Sequence, residues 1–475
     1  MEIIRAVTGE GIKELLERIA SLEKLVVELR AENERLRAEN EALKRQLNQN
    51  SGNSHKPPSS EGYAKKTVKP GLPRDDKKAK GGQAGHTGKT LMAVERPDKV
   101  QVHLPGQCAH CQREFKSSNK YEVVGRRQVF DLPEPKLEIT EHQVGTIECC
   151  GSKQCGKYPE HVTSSVQYGP RVRAWAVKMS VDHKLPLEQI CQYFKDMYGY
   201  ELNSETVESA VAEGSKLAQE IEAKLKAKLS EAPMLHADET GIRVAGKLMW
   251  LHVVCAAGYI YMFVDTKRGA QAIMSANSVL KAYNGYVVHD YWSAYFKLTQ
   301  VKHAMCMAHV LRELQGLMEA GSVWGQKMHD LLLSLHRMPR PLSAETFAQQ
   351  RERYHSILSA AECEEPPPQV KPPRGRAKSS PGRNLLNRLT TYESANLAFA
   401  QVEGVPFTNN LAERAIRPVK VKLKVSGCFR TLTGASHYAR LQSIVSSIRL
   451  CGGNVFSVLH DLFAHRPAVA WLHGR

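Results

Sequence analysis

No run of residues in this chain is both long and apolar enough to read as a membrane span, which takes about 20 consecutive apolar residues. The nearest approach, LMWLHVVCAAGYIYMFV at 248–264, is broken by His252 and Gly258 and is rich in Val, Tyr and Phe, so two strands turning near Ala257-Gly258 are expected there. An apolar leader is missing as well: the chain opens into a charged helical repeat, which points to the cytoplasm. Without a secretory signal, the 11 cysteines are expected to bind metal or to be buried rather than to form disulfides. Acidic residues are in short supply, 49 against 66 Lys and Arg, for a net charge of +17. The excess is clustered, so the expected partner is a polyanion and not a membrane.

What is present first is a heptad pattern over 10–48. Leu15, Leu22, Leu29, Leu36 and Leu43 recur every seven residues, each preceded three places earlier by Ile12, Ile19, Val26, Asn33 or Asn40. β-Branched residues at a with Leu at d favour a parallel two-stranded coil, and Asn at a fixes its register. Opposite charges at g and e′ agree, pairing Arg18 with Glu23, Glu32 with Arg37 and Glu39 with Lys44. A homodimer or higher oligomer is therefore expected. Residues 49–92 follow as a basic stretch with many Gly, Pro and Ser and almost nothing apolar, which reads as a disordered linker.

Residues 101–160 carry Cys108 and Cys111 as Cys-x-x-Cys, then Cys149, Cys150 and Cys155. Four thiolates close a tetrahedral Zn²⁺ site, and the expected ligands are Cys108, Cys111, Cys150 and Cys155, with RRQVFDLPEPKLEITEHQVGTIE as intervening β-structure. The second knuckle is irregular, and Cys149 is the substitute. Residues 161–232 look helical. Within them LPLEQICQYFKDMYGYELNSETVESAV has the cadence of a helix-turn-helix, but Glu205 and Glu208 would face phosphates, so helical packing is the preferred reading over base recognition.

After Pro233 the pattern alternates. MLHADET, KLMWLHVVCA and YIYMFVDT read as strands, SANSVLKAY as a helix, GYVVHD as a fourth strand and HAMCMAHVLREL as a strand running into a helix. Asp238 and Asp290 end apolar runs in this pattern, and Glu413 lies in the helical stretch NNLAERAIRPVK. Converging carboxylates are what hard divalent cations require. Each acid also has a plain structural reading: Asp238 as a turn residue, Asp290 as a cap, and Glu413 as N3 of a capping box opened by Asn410. Asp265, ending the third strand, competes as a ligand. Cys306 and His309, one helical turn apart, lack an evident further ligand and are read as packing beneath the site. Around Glu413 six basic residues, Arg414, Arg417, Lys420, Lys422, Lys424 and Arg430, accompany that one acid, as a phosphate-binding surface would.

HADETG, VVHDYWSAY and TNNLAERAIRPVKVKLKVSG, with NSHKPPSSEG, GGQAGHTGKTL and VQYGPRVRAW before them, together resemble the DDE transposases of the bacterial insertion-sequence-66 family. The resemblance implies Asp238, Asp290 and Glu413 as the catalytic triad, holding two Mg²⁺. It also implies cleavage at the ends of an element, then direct attack of the freed 3′-OH on target DNA without ATP. Arg414, Arg417 and Lys420 are the cations expected to meet transition-state charge. Element ends and target DNA would be the partners, with companion proteins encoded by the element as a further possibility, in the nucleoid.

The expected fold is multidomain α/β. It comprises the coiled coil at 10–48, the linker at 49–92, a small zinc-binding β module at 101–160 and a helical region at 161–232. A ribonuclease-H-like catalytic core begins at 233–310, is interrupted by a helical insertion with a Pro-rich basic segment at 311–400, and resumes with the catalytic helix and C-terminal region at 401–475. In such a core the first and fourth strands lie side by side and bring Asp238 to Asp290. A nuclease without strand transfer and a non-catalytic zinc and zipper regulator are the alternatives.

Overall fold

The computed structural model describes residues 9–50, 52–54, 90–116, 118, 120–159, 161–368 and 379–473. Most of the basic linker and the centre of the Pro-rich segment lie outside them. The chain forms two compact units, one of Met1–Leu72, His161–Ile190 and Asn203–Arg475, the other of Pro73–Glu160 with Cys191–Leu202.

Helix α1, Gly9–Leu47, covers the heptads. Its a and d side chains Ile12, Leu15, Ile19, Leu22, Val26, Leu29, Leu36 and Leu43 are all exposed along the single chain. In the second unit, Thr146–Cys149 (β1) and Ser152–Cys155 (β2) make an antiparallel hairpin whose turn residues Cys150 and Gly151 both have positive φ, 46° and 75°. That is the backbone a two-residue turn needs. The expected β-structure between the cysteine pairs is confined to this hairpin: residues 120–145 hold no strand.

The helical region is Pro170–Val177 (α2), Leu187–Tyr198 (α3), Ser204–Leu217 (α4) and Gln219–Glu231 (α5). Gly199 breaks α3 from α4 with φ 73°, and Asn203 caps α4 by accepting the Thr206 N–H at 2.7 Å. Val207, Ala210, Gly214 and Ser215 bury the inner face of α4, and a Cβ on Gly214 would stand 3.0 Å from the Phe463 ring.

Five strands form the central sheet: Met234–Val244 (β3), Lys247–Ala256 (β4), Tyr259–Asp265 (β5), Tyr286–His289 (β6) and Lys302–Met305 (β7). Their order is β5-β4-β3-β6-β7; β3, β4 and β5 are antiparallel, and β6 and β7 run parallel to β3. The apolar run at 248–264 is thus two strands joined at Gly258, where φ is 90°. SANSVLKAY forms only a single 3-10 turn, Val279–Lys281, opened by Ser278.

On one face of the sheet, Leu225 and Leu229 of α5 pack with Leu235, Ala237, Val254, Tyr261 and Phe263. Burying each such leucine contributes about 2 kcal/mol. Beyond β7 come Met307–Glu319 (α6), Val323–Arg337 (α7), Ala344–Glu364 (α8), Pro381–Thr391 (α9) and Glu393–Gln401 (α10). These helices share a continuous core with Val288, Ala304 and Met305, so the segment expected as an insertion is an extension of the sheet's own core.

Asn410–Ser426 (α11), Leu432–Leu450 (α12) and Val455–Phe463 (α13) complete the first unit. Ser447 and Ser443 of α12 accept the backbone N–H groups of Ile260 and Met262 at 2.9 and 2.8 Å, capping the outer edge of β5. No helix among the described residues is long and apolar enough to cross a membrane.

Candidate active site

Asp238 stands in the middle of β3, not at its end as the apolar run suggests. β4 goes on pairing past it, with Asp238 opposite Val253, while the other neighbour, β6, stops at His289. The parallel register places His236 against Val288. Continued past the end of β6, that register points Asp290 toward Asp238, and the two acids are close enough for the charge of Asp290 to raise the Asp238 carboxyl. One carboxylate oxygen of each is engaged locally: Asp238 Oδ1 accepts the Glu239 N–H at 2.8 Å and Asp290 Oδ1 the Trp292 N–H at 2.9 Å.

Alternation along β3 sends Glu239 to the opposite face from Asp238. There its carboxylate is held by the Tyr295 hydroxyl at 2.7 Å and by Arg268 at 2.8 and 3.0 Å. Arg268 in turn lies over the rings of Trp250 and Trp292, at 4.8 and 4.3 Å. The motif HADETG therefore carries two acids with different occupations, one paired and one not, a distinction that spacing does not reveal.

Glu413 enters from α11, which Ala412, Ala415, Ile416 and Val419 bury against β3 and β4. The helix begins one residue earlier than a capping box requires. Asn409 is the N-cap, Asn410 is the first helical residue, and the Glu413 N–H bonds to the Asn409 carbonyl at 3.2 Å. Glu413 consequently caps nothing, and its Oε1 is buried without a hydrogen-bond partner. Burial raises the Asp238 carboxyl well above the usual range, with Glu239, Asp290 and Glu413 adding repulsion. Carboxylates crowded in this way are a donor set suited to hard cations.

Asn409, which sequence reasoning missed, ties these parts together. Its side chain donates to the Ala237 carbonyl at 2.8 Å and meets His236 Nδ1 at 2.9 Å, while its backbone N–H reaches Cys306 Sγ at 3.1 Å. The only available signal was a second Asn just before an amphipathic helix. Cys306 is itself the N-cap of α6. Burial pushes its thiol up to about 12, against the opposing pull of backbone amides at Asn409, Ala308 and His309.

Among the described residues one group of three or more potential ligands has all its donor atoms within 4.8 Å of one another, and it is Cys306, His309 and Glu413. The further potential ligand that CMAH lacked in sequence is thus supplied by Glu413. Asp265 stays apart: at the end of β5 it pairs with Trp250, and its carboxylate accepts the Lys267 N–H at 2.8 Å.

Cys108 lies against Cys111, but no three of Cys108, Cys111, Cys150 and Cys155 have their donor atoms within 4.8 Å of one another. Cys150 sits in the hairpin turn and Cys155 opposite Thr146 at the far end, about 10 Å along the strands.

Of the basic residues, Arg414, Arg417, Lys420, Lys424 and Arg430 are exposed and Lys422 is half-buried. Lys420 donates to the Gly241 carbonyl at 3.3 Å, and burial lowers its ammonium against the attraction of Asp238. Arg414, Arg417 and Lys424 share the outer face of α11 with the exposed Val421.

Residues 165–437 match the profile of the Transposase IS66 family. Residues 10–92 match a second family, whose function is unknown. No curated protein matches the chain.

Proposed function

The chain belongs to the IS66 family of transposases, and from that premise we propose that it cuts DNA at the ends of an insertion sequence and joins the resulting 3′-OH ends to target DNA. Asp238, Asp290 and Glu413 are its catalytic carboxylates, on a sheet whose strand order suits a ribonuclease-H-like core. The observation that carries this reading is the convergence of three acids: Asp290, just past the end of the strand beside β3, and Glu413, whose Oε1 is buried without a partner, are both close enough to disfavour the charge on Asp238.

The three carboxylates would hold the Mg²⁺ ions, which when bound supply activation of the attacking oxygen and stabilisation of the leaving one. The protein's own groups position and neutralise. Tyr295 and Arg268 keep Glu239 occupied on the far face, so the acid beside Asp238 does not compete for the cation. Asn409 holds the start of α11 to β3, fixing the helix that carries Glu413 relative to the strand that carries Asp238. Arg414, Arg417 and Lys424 offer charge to the DNA backbone along one face of α11, and Lys420 stands between that face and Asp238. The exposed heptad face of α1 supports a parallel homodimer, because burying eight apolar side chains against a second copy removes them from water.

The test is Mg²⁺-dependent cleavage of DNA carrying the element's own ends, wild type against Asp290→Asn. A pre-cut 3′-OH end assayed for strand transfer separates a transposase from a nuclease, which would cut but not join.

A further inference from the structure

We propose that Cys306, His309 and Glu413 form a site for one borderline transition-metal cation of the Zn²⁺ type, chemically distinct from the hard-cation site at Asp238 and Asp290. Two of the three ligands each bury an unsatisfied polar atom, Nδ1 of His309 and Oε1 of Glu413. An unsatisfied buried polar atom costs roughly 1–3 kcal/mol, and the two residues that bury these atoms each bring a donor atom within 4.8 Å of the Cys306 sulfur. A single cation satisfies both. A hydrogen bond between the two residues is the competing explanation, and neither atom has one.

The donor set selects the cation. One thiolate, one imidazole and one carboxylate is a combination that zinc accepts with a fourth position left open, whereas Mg²⁺ demands oxygen. The Cys306 sulfur receives the Asn409 N–H at the N-terminus of α6, where amides favour the negative charge that a bound cation would leave on it. On coordination the thiol proton is released to solvent. The cation would clamp the first turn of α11 to the first turn of α6, leaving one oxygen of Glu413 for the acidic pair. The inference shares Glu413 with the proposed function, but it is read by spectroscopy without DNA and so stands or falls separately.

The experiment is titration of chelator-stripped, full-length protein with Co²⁺ in excess Mg²⁺, following the thiolate-to-cobalt charge-transfer band in the near ultraviolet. Wild type should bind one more thiolate-ligated equivalent than Cys306→Ser. His309→Gln should retain the band at saturation with cobalt affinity lowered at least about tenfold. Equal stoichiometry and an identical band in Cys306→Ser overturn the site. If Cys306→Ser does not fold, as judged by circular dichroism, the His309→Gln titration decides, and unchanged affinity there overturns it as well.

Discussion

Asp238 sits within β3 and Asp290 one residue past the end of β6, beside a hydrogen-bond ladder that sets the register of the two strands, whereas Cys150 and Cys155 sit at opposite ends of a short hairpin whose strands are exposed along their whole length. The acids are framed by buried cores on both sides of the sheet. The cysteines lie in a unit where Val124, Val129, Leu132, Ile139 and Ile147 are exposed. Ligand geometry in the first case is a by-product of folding. In the second, no packed core fixes it, and a metal would have to organise its own ligands, as it does in small zinc domains.

The contrast breaks most visibly if the acids prove dispensable. Asp238→Asn, Asp290→Asn and Glu413→Gln should each lower cleavage by about a thousandfold or more while leaving DNA binding intact. Retained cleavage in any one removes that residue from the triad. Next in size is the frame itself. Asn409→Ala leaves the Ala237 carbonyl and His236 without their partner and should cost about 3 kcal/mol in chemical denaturation, against about 0.5 kcal/mol or less for the exposed Asn410→Ala. Equal losses would restore the capping-box reading.

The basic face comes third. Replacing Lys420, Lys422 and Lys424 by Gln should weaken binding to element-end and scrambled DNA alike and shallow the log–log salt slope by roughly one unit for each phosphate no longer neutralised. Half-buried Lys422 should contribute least, and weakening confined to element ends would mean that α11 reads bases.

A smaller effect sharpens the electrostatic side. Because the folded protein holds Asp238 protonated above the pH where the unfolded chain releases it, the native state binds more protons across that interval. Stability in chelator is therefore full below the ordinary Asp range and falls as pH rises toward the folded value. Thermal melting should show this slope, and both Mg²⁺ and Asp238→Asn should flatten it. Finally, because the hairpin holds Cys150 and Cys155 apart, Cys150→Ser and Cys155→Ser should leave the zinc content of purified protein unchanged. Zinc depletion in both would show that the hairpin rearranges around metal.

Much of the sheet was legible in the sequence because each strand is a local apolar run. The meeting of the first and fourth strands followed from their order. Single-residue matters were not legible. Whether Asn409 or Asn410 starts α11 turns on bonds to Ala237, His236 and Cys306, which are more than a hundred residues away in sequence. The same holds for Cys306 and His309, whose third partner arrives from across the intervening helices. SANSVLKAY has helical composition, but Ser278 accepts the Leu280 N–H and the chain turns after one turn of 3-10 helix, so local propensity yields to the path between β5 and β6.

The two serines of α12 that cap β5 have a consequence for how the protein is made. They follow the residues they cap by 187 and 181 positions, so a ribosome releases the sheet strands well before the helix that closes their outer edge. Until then Ile260 and Met262 present open amides that any other extended segment can pair with, including the same strand of a second nascent chain. A copy of the gene interrupted between β7 and α12 would therefore yield a polypeptide that retains a sticky sheet margin permanently. Such fragments should be found in inclusion bodies or bound to chaperones rather than competing with the intact protein for DNA.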